Sequence, residues 1–477
     1  MPVTRRQFLH GTAAAAGAMA IPAVAKASVQ QANETINFGV IGLGNRGKYH
    51  IGRFGRHKGV RLAAICDPDR QRLDAAAASI KGQFGYEPAK YVDVRKMIEQ
   101  AKLDAVSVAT MQYWHALPTI WACQAGLHVY VEKPLGHFID EGTLMVKAAR
   151  KYKRLVQIGT QSRSTRSAIA TIDYIKKGQL GKINYVTAFA NKPRTPIGNR
   201  SEPLPIPDYV DYDLWCGPAD NGPIYRDRLQ YDCSFTWDKG DGESCNQGIH
   251  EIDVVRWLLD EKELPRRTIS VGGRFTFNDA GDVPNTQIIY YDFPTAPVLY
   301  EVHNLRESKG SSKAPTFRGY RTDVCAHCEG GYALIRSGQV YDNEGKKIKS
   351  FPGGEDIFEN FIAALRSGRQ EDLDADIYEG HRSTTVTHLG NISYRLGKPA
   401  SAAKIRERIE GVKLFEDMFE RMVTHLKGHE IDVDSPTITL GEWLDVDQEN
   451  ECFKNNDKAN AIVRGTYRAP YALPTEV

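Results

Sequence analysis

The chain has 477 residues, 41% hydrophobic and 25% charged, which excludes a disordered or fibrous protein and is longer than one hydrophobic core usually serves, so two domains are expected. Its net charge of +3 comes from 62 Lys+Arg against 59 Asp+Glu, and the three-residue excess equals Arg5, Arg6 and Lys26 of a leader without acids. The rest of the chain is neutral, which removes any general electrostatic case for nucleic acid or an anionic membrane as partner.

That leader, residues 1–27, carries the twin-arginine pattern Thr4-Arg5-Arg6-Gln7-Phe8-Leu9, then a Gly/Ala-rich apolar run, then small residues suited to cleavage at Ala23-Val24-Ala25 or Ala25-Lys26-Ala27. The run is too short and too weakly apolar to span a membrane. It predicts export by the twin-arginine route to the periplasm or cell envelope, with no membrane span in the mature form. All eight cysteines lie beyond it. Substrates of this route fold before crossing, in a reducing compartment, so no disulfide framework is required. Cys325-Ala-His-Cys328 has suggestive spacing, but one pair cannot close a four-ligand zinc site and it lacks a strand–helix redox setting; no metal is expected.

From Thr35 strands and helices alternate. "INFGVIGLG" is a strand ending in glycines, "RGKYHIGRFGRH" a helix, "VRLAAICD" a strand and "PDRQRLDAAAASIKGQFG" a helix. The strands "LDAVSVAT", "HVYVEKP" and "LVQIGT" follow, with helices at "HALPTIWACQAG" and "DEGTLMVKAARKYK" between them. This alternation predicts a parallel sheet covered on both faces over residues 35–160. Beyond Gln161 a helix and "KINYVTAFA" lead into a long aromatic and proline-rich stretch. After the helical "HEIDVVRWLLD" come four extended runs without long helices between them, "TISVGGRFTF", "TQIIYYDF", "VLYEVHNL" and "YALIRSGQVY". They predict a largely antiparallel open sheet in an α/β domain over 161–400. A helical extension is expected over 401–477.

"VIGLGNRG" places Gly42, Gly44 and Gly47 between a strand and a helix, where glycines allow a tight turn and a close approach of backbone N–H groups to a pyrophosphate. Asn45 and Arg46 belong to the same turn. Asp67 closes the second strand, suited to accepting hydrogen bonds from ribose hydroxyls and repelling a 2′-phosphate. This favours NAD over NADP, although Arg70 and Arg72 nearby keep the phosphorylated cofactor open.

The motifs "GVIGLGNRG", "DAVSVATMQYWH", "AGLHVYVEKPLG" and "IGTQSRS", in this order, resemble the Gfo/Idh/MocA oxidoreductases, and "DYDLWCGPA", "NQGIHEID" and "GHRSTTVTHLGNISYRLGKPA" extend the likeness to Ala400. The resemblance implies a Rossmann domain followed by an α/β domain whose sheet often forms a homo-oligomer interface, and redox chemistry on a small-molecule sugar or polyol. It gives Lys133 of the Glu132-Lys133-Pro134 element a catalytic role, oriented by Glu132 and followed by a cis Lys133–Pro134 bond. Physical reasoning agrees: ligands bind beyond the carboxyl ends of such strands, and an ammonium there stabilises a developing alkoxide. Thr110, His115 and Gln161 match positions around the nicotinamide ribose, and Glu132 and Lys133 join the cofactor set. His250 is the acid–base candidate. Many relatives carry Asp four residues before this histidine, where this chain has Asn246, which binds a hydroxyl but takes no proton. Asp253 either orients His250 or packs. Trp215, Tyr225 and Arg226 either form a sugar-stacking wall or belong to the core.

Export adds a constraint, because the envelope holds no ordinary free NAD pool. The expectation is a tightly bound dinucleotide that gives and takes hydride within the enzyme, acting on a sugar hydroxyl or ketone. The alternative is glycoside cleavage through a transient keto sugar; NAD-dependent glycosidases of the superfamily tend to lack the lysine this chain keeps. A second alternative is a non-catalytic sugar-binding protein that retains NAD, encouraged by Asn246.

Overall fold

The computed structural model describes residues 35–354 and 356–477; the predicted signal peptide lies outside them. Residues 36–158 alternate as expected, through β1 (Ile36–Ile41), α1 (Asn45–Phe54), β2 (Val60–Cys66), α2 (Arg70–Phe84), β3 (Ala89–Tyr91), α3 (Val94–Gln100), β4 (Ala105–Val108), α4 (Ala116–Gln124), β5 (His128–Val131), α5 (Ile139–Lys151) and β6 (Val156–Ile158). The six strands pair in parallel in the order β3-β2-β1-β4-β5-β6. Strand order reverses between β1 and β4, which opens a crevice at their carboxyl ends. Local chemistry sets the helix starts: Asp69 caps α2 by accepting from Arg72 N, and Asp93 caps α3 by accepting from Arg95 N. At α1 the cap is Gly44, whose missing side chain leaves the first N–H groups uncapped.

The second unit runs through α6 (Arg166–Lys176), β7 (Ile183–Asn191), the short α7 (Tyr212–Cys216) and α8 (Gly242–Asn246), then α9 (Gly248–Leu259). Strands β8 (Arg267–Gly273), β9 (Thr286–Asp292), β10 (Pro297–His303), β11 (Thr322–Cys328), β12 (Gly331–Leu334), β13 (Gln339–Tyr341) and β14 (Lys347–Ser350) follow. The sheet is antiparallel except where β7 and β10 run parallel. "YALIRSGQVY", expected as one extended run, divides into the hairpin of β12 and β13. Cys325 and Cys328 lie three positions apart on β11 and pack in different apolar clusters. All eight cysteines are free.

Helices α10 (Ile357–Ser367) and α11 (Ile377–Arg395) tie the two units together. Phe358 and Phe361 of α10 are buried in the first unit's core beside Phe38, Phe54 and Tyr130. α11 is buried along most of its length, and Gly380 and Gly390 let it approach Ile158 of one sheet and Ile289 of the other. The tail is only partly the predicted helical extension. β15 (Lys398–Ala400), α12 (Ala402–Ile409) and α13 (Lys413–Lys427) are followed by β16 (Ile438–Leu440), β17 (Leu444–Asp447), β18 (Cys452–Phe453) and α14 (Asp457–Val463). β16 and β17 extend the second sheet through β8, whose edge offers unpaired backbone groups. Phe415, Met418, Phe419 and Met422 of α13 pack on Ile288, Tyr290 and Leu299, so part of the sheet face expected to receive a partner is covered from within. No helix among the described residues is long and apolar enough to cross a membrane.

Candidate active site

The glycine turn after β1 has the geometry of a phosphate cradle. Gly42 holds φ +83°, and a Cβ there would lie 2.7 Å from Thr110 N. A Cβ on Gly47 would stand 1.9 Å from Gly42 O, so this glycine sets the contact between α1 and the strand. Asp67 follows β2 as predicted, and its carboxylate already accepts from Leu43 N at 2.7 Å and Asp69 N at 2.9 Å. Burial pushes its pKa up, partly opposed by the two backbone donors and the Arg72 charge. Gly42, Gly44, Asp67, Arg72 and Thr110 line one cleft. Arg72 is paired with Asp69 at 3.3 Å, and Arg70 donates to Asp208 O. Both arginines considered for a 2′-phosphate are therefore engaged within the protein. Thr110 Oγ1 and Gln161 Nε2 are buried without hydrogen-bond partners. With the cradle and Asp67, these orphaned groups fit a dinucleotide.

The Lys133–Pro134 bond is cis, as expected. Glu132 does not orient the lysine ammonium. Its carboxylate accepts from Arg46 Nε at 2.6 Å and lies 3.0 Å from His50 Nε2, because α1 presents both residues to the end of β5. These partners hold the buried acid well below the usual carboxylate range against its desolvation. Lys133 Nζ turns instead to Asn246, donating to its backbone O at 2.6 Å and its side-chain Oδ1 at 3.1 Å. Burial pulls the lysine down to about 8, partly opposed by the Glu132 charge.

Asn246 in turn donates to Tyr231 Oη at 3.2 Å and Glu243 Oε1 at 3.4 Å. Glu243 is fully buried and clamped by Arg194 through Nε and Nη2, with Lys192 at 3.6 Å. Tyr231, Glu243 and Arg194 were not singled out by the sequence. Glu243 alone left a signal, standing three residues before Asn246 on the same face of a turn; Arg194 and Tyr231 come from the aperiodic stretch.

His250 shares a cleft with Gln161, Ser162, Thr165, Gln247 and Arg336. Its imidazole is pushed well below its ordinary value by burial and then by the Lys133 charge, which keeps it neutral. Asp253 does not orient it: the carboxylate takes a bidentate contact from Arg163 and a hydrogen bond from Ser383. His115 also departs from the ribose role, since its ring nitrogens lie 2.6 Å from Pro134 O and 3.1 Å from Thr110 O, joining the ends of β4 and β5. The aromatic wall divides. Trp215 is buried and lines the cleft of Gly42 and Asp67, Tyr225 is exposed, and Arg226 donates to the carbonyls of Arg228 and Leu229. The aromatic linked to Lys133, through Asn246, is Tyr231.

A second buried set lies behind α8: His137 Nδ1 is 3.0 Å from Asp241, and Cys245 and His388 stand next to it.

Solved structures share this architecture. The WlbA dehydrogenase from Bordetella pertussis, determined with NADH and UDP-GlcNAcA, aligns over 75% of this chain and 95% of its own, at 21% identity and TM-score 0.56. Aldose-aldose oxidoreductase from Caulobacter crescentus, complexed with glycerol, aligns over 74% and 96% at 18% identity and TM-score 0.55. In sequence, a glycosyl hydrolase family 109 protein of Shewanella pealeana is 28% identical over 154 residues, 31% of this chain and 34% of the relative. An alpha-N-acetylgalactosaminidase of Shewanella oneidensis is 27% identical over the same length. The chain thus matches about a third of the length of these curated relatives. A twin-arginine signal model matches residues 2–22. The model of the oxidoreductase family's NAD-binding Rossmann fold matches residues 36–160 and that of its C-terminal alpha/beta domain residues 179–426, and the chain belongs to the Gfo/Idh/MocA oxidoreductases.

Proposed function

We propose that the protein is exported to the cell envelope with NAD bound and transfers hydride between that cofactor and a hydroxyl or ketone of a sugar or polyol. Bound NAD supplies the hydride acceptor and donor; the chain supplies the proton path and the field. The observation that carries this reading is the two-point hold of Asn246 on Lys133 Nζ. An ammonium has three N–H directions, and two are occupied by Asn246 oxygens. The third carries a proton when the lysine is charged and a lone pair when it is neutral, so the proton of a reacting hydroxyl has one address. An amide at position 246 anchors the lysine without the negative charge that would raise its pKa, which leaves the group near 8 and suited to proton exchange. The charged form stabilises alkoxide character. Neutral His250, whose imidazole is lowered partly by the Lys133 charge, then serves as hydrogen-bond acceptor or donor to a neighbouring hydroxyl.

A second reading, glycoside cleavage through a transient keto sugar, is favoured by the similarity to family 109 glycosyl hydrolases over 154 residues. The two part at the product. Absorbance of reduced nicotinamide, recorded while mono- and disaccharides are titrated into the purified enzyme, should rise without added NAD. Unchanged glycosidic bonds then support oxidoreduction, released monosaccharide supports cleavage, and a silent cofactor across the panel rejects both.

A further inference from the structure

The strand crevice that fits the dinucleotide is not closed by the first unit alone. The segment 207–230, from the aperiodic stretch of the second unit, lies along its adenosine end. Val210 forms an antiparallel bridge with Asp69. Arg70 N donates to Tyr209 O at 2.9 Å, and Asp211 N donates to Pro68 O at 3.0 Å. These bonds fix the segment beside Asp67. From it Leu214, Trp215 and Gln230 line the cleft that Gly42, Gly44 and Asp67 line from the other side. Trp215 is held by its indole N–H to Gln230 Oε1 and by stacking on Tyr212 at 5.9 Å. Trp114 Nε1 donates to Leu214 O, and Tyr113 Oη to Trp215 O.

The segment is fastened by the far end of the chain. Arg468 Nη1 donates to Asp213 Oδ1 at 2.6 Å, Arg468 Nη2 to Asp213 O at 3.0 Å, and Arg468 N to Pro218 O at 3.0 Å. Tyr471, buried at 2% exposure, donates to Asp213 Oδ2 at 2.8 Å and sets its ring edgewise to Trp114 at 5.4 Å. The guanidinium of Arg95, on α3, also lies over the Tyr471 ring.

We infer that residues 207–230 form a strap over the adenosine half of the dinucleotide, with Trp215 and Leu214 as the wall against the flat base and Arg468 and Tyr471 as the latch that keeps it shut. Release of the nucleotide then requires the Asp213 contacts to break together. This deepens the proposed function, on which it rests for a cofactor that does not exchange between turnovers. Asp213, Arg468 and Tyr471 are positioning residues; they act through the strap.

The test is nucleotide retention, read apart from activity. Enzyme loaded with NADH is passed through gel filtration, and release of the remainder is followed by nicotinamide fluorescence after adding excess NAD. The double variant Arg468→Ala/Tyr471→Phe, which keeps the ring against Trp114, is expected to release NADH about tenfold faster, since weakened contacts act mainly on dissociation. Arg468→Lys should recover part of that loss. A double variant with native melting behaviour and the parent release rate overturns the strap. If latch-dependent retention is found but no sugar changes the bound cofactor, the strap stands and the proposed reaction fails. Freely exchanging NADH in the parent together with sugar oxidation removes the strap and leaves the reaction standing.

Discussion

Two regions of the molecule are built from opposite materials, the cleft beside Gly42 and Asp67 and the surroundings of Lys133. In the cleft, Asp67 and Arg72 share the lining with an apolar and aromatic wall, where Trp215, Tyr113, Trp114 and Leu214 are joined mainly through backbone carbonyls. Around Lys133 the side chains are charged and tied into chains: Arg46–Glu132–His50 beside Glu132, and Asn246–Glu243–Arg194 beyond the ammonium. Apolar burial gives affinity that is insensitive to small displacements, whereas fixed charges act on the reacting atoms and only at the right distance. One region should govern how long the cofactor stays, the other how fast hydride moves.

That division can be broken by substitution. The largest effect is expected for Lys133→Ala, which removes both the charge and the proton acceptor. Single-turnover reduction of bound NAD should fall by a factor on the order of 10² to 10⁴ with occupancy unchanged; loss of the cofactor instead would merge the two regions. Glu243→Gln comes next. It leaves Arg194 and Lys192 facing a neutral amide at a buried position, and denaturant unfolding should show a loss of about 3 kcal/mol. Because Asn246 also leans on Glu243, the hydride rate should drop alongside stability, and a stable variant at full rate would cut Glu243 out of the chain. Trp215→Ala should be the mildest. NAD affinity falls by roughly tenfold, the size of one lost aromatic contact, while the rate at saturating NAD holds.

The legibility of these regions differs for a physical reason. Alternating strands and helices carry their own period, so the first unit, its glycine turn and Asp67 could be read from neighbours along the chain. The role of Lys133 and the cis bond came from the family resemblance that a short strand-end motif carries. What was hidden depends on contacts distant in sequence. The partner of Glu132 lies 86 residues away at Arg46, and Asn246, expected beside Lys133, is itself held by Tyr231 and Glu243, which the sequence left unmarked. Trp215 was visible as an aromatic in a non-periodic stretch, but the Val210–Asp69 bridge and the cleft it shares with Gly42 and Asp67 depend on the fold. The tail read as a helical extension because α12 and α13 have strong helical periodicity. β16 and β17, three and four residues long, are too short to show a period and form because β8 offers an edge.

In the proposed reaction Lys133 switches protonation at the one position Asn246 leaves open. Its pKa of about 8 sets the sign: below it the lysine is charged and cannot accept a proton, above it the neutral amine can. The decisive measurement is the pH dependence of single-turnover sugar oxidation in the parent enzyme and in Asn246→Asp. The parent rate should rise with pH and level off above about 8. A carboxylate at 246 favours the ammonium and should move that rise upward by about one unit or more. A parent rate that is flat across this range, or a rise that stays in place in Asn246→Asp, contradicts the account.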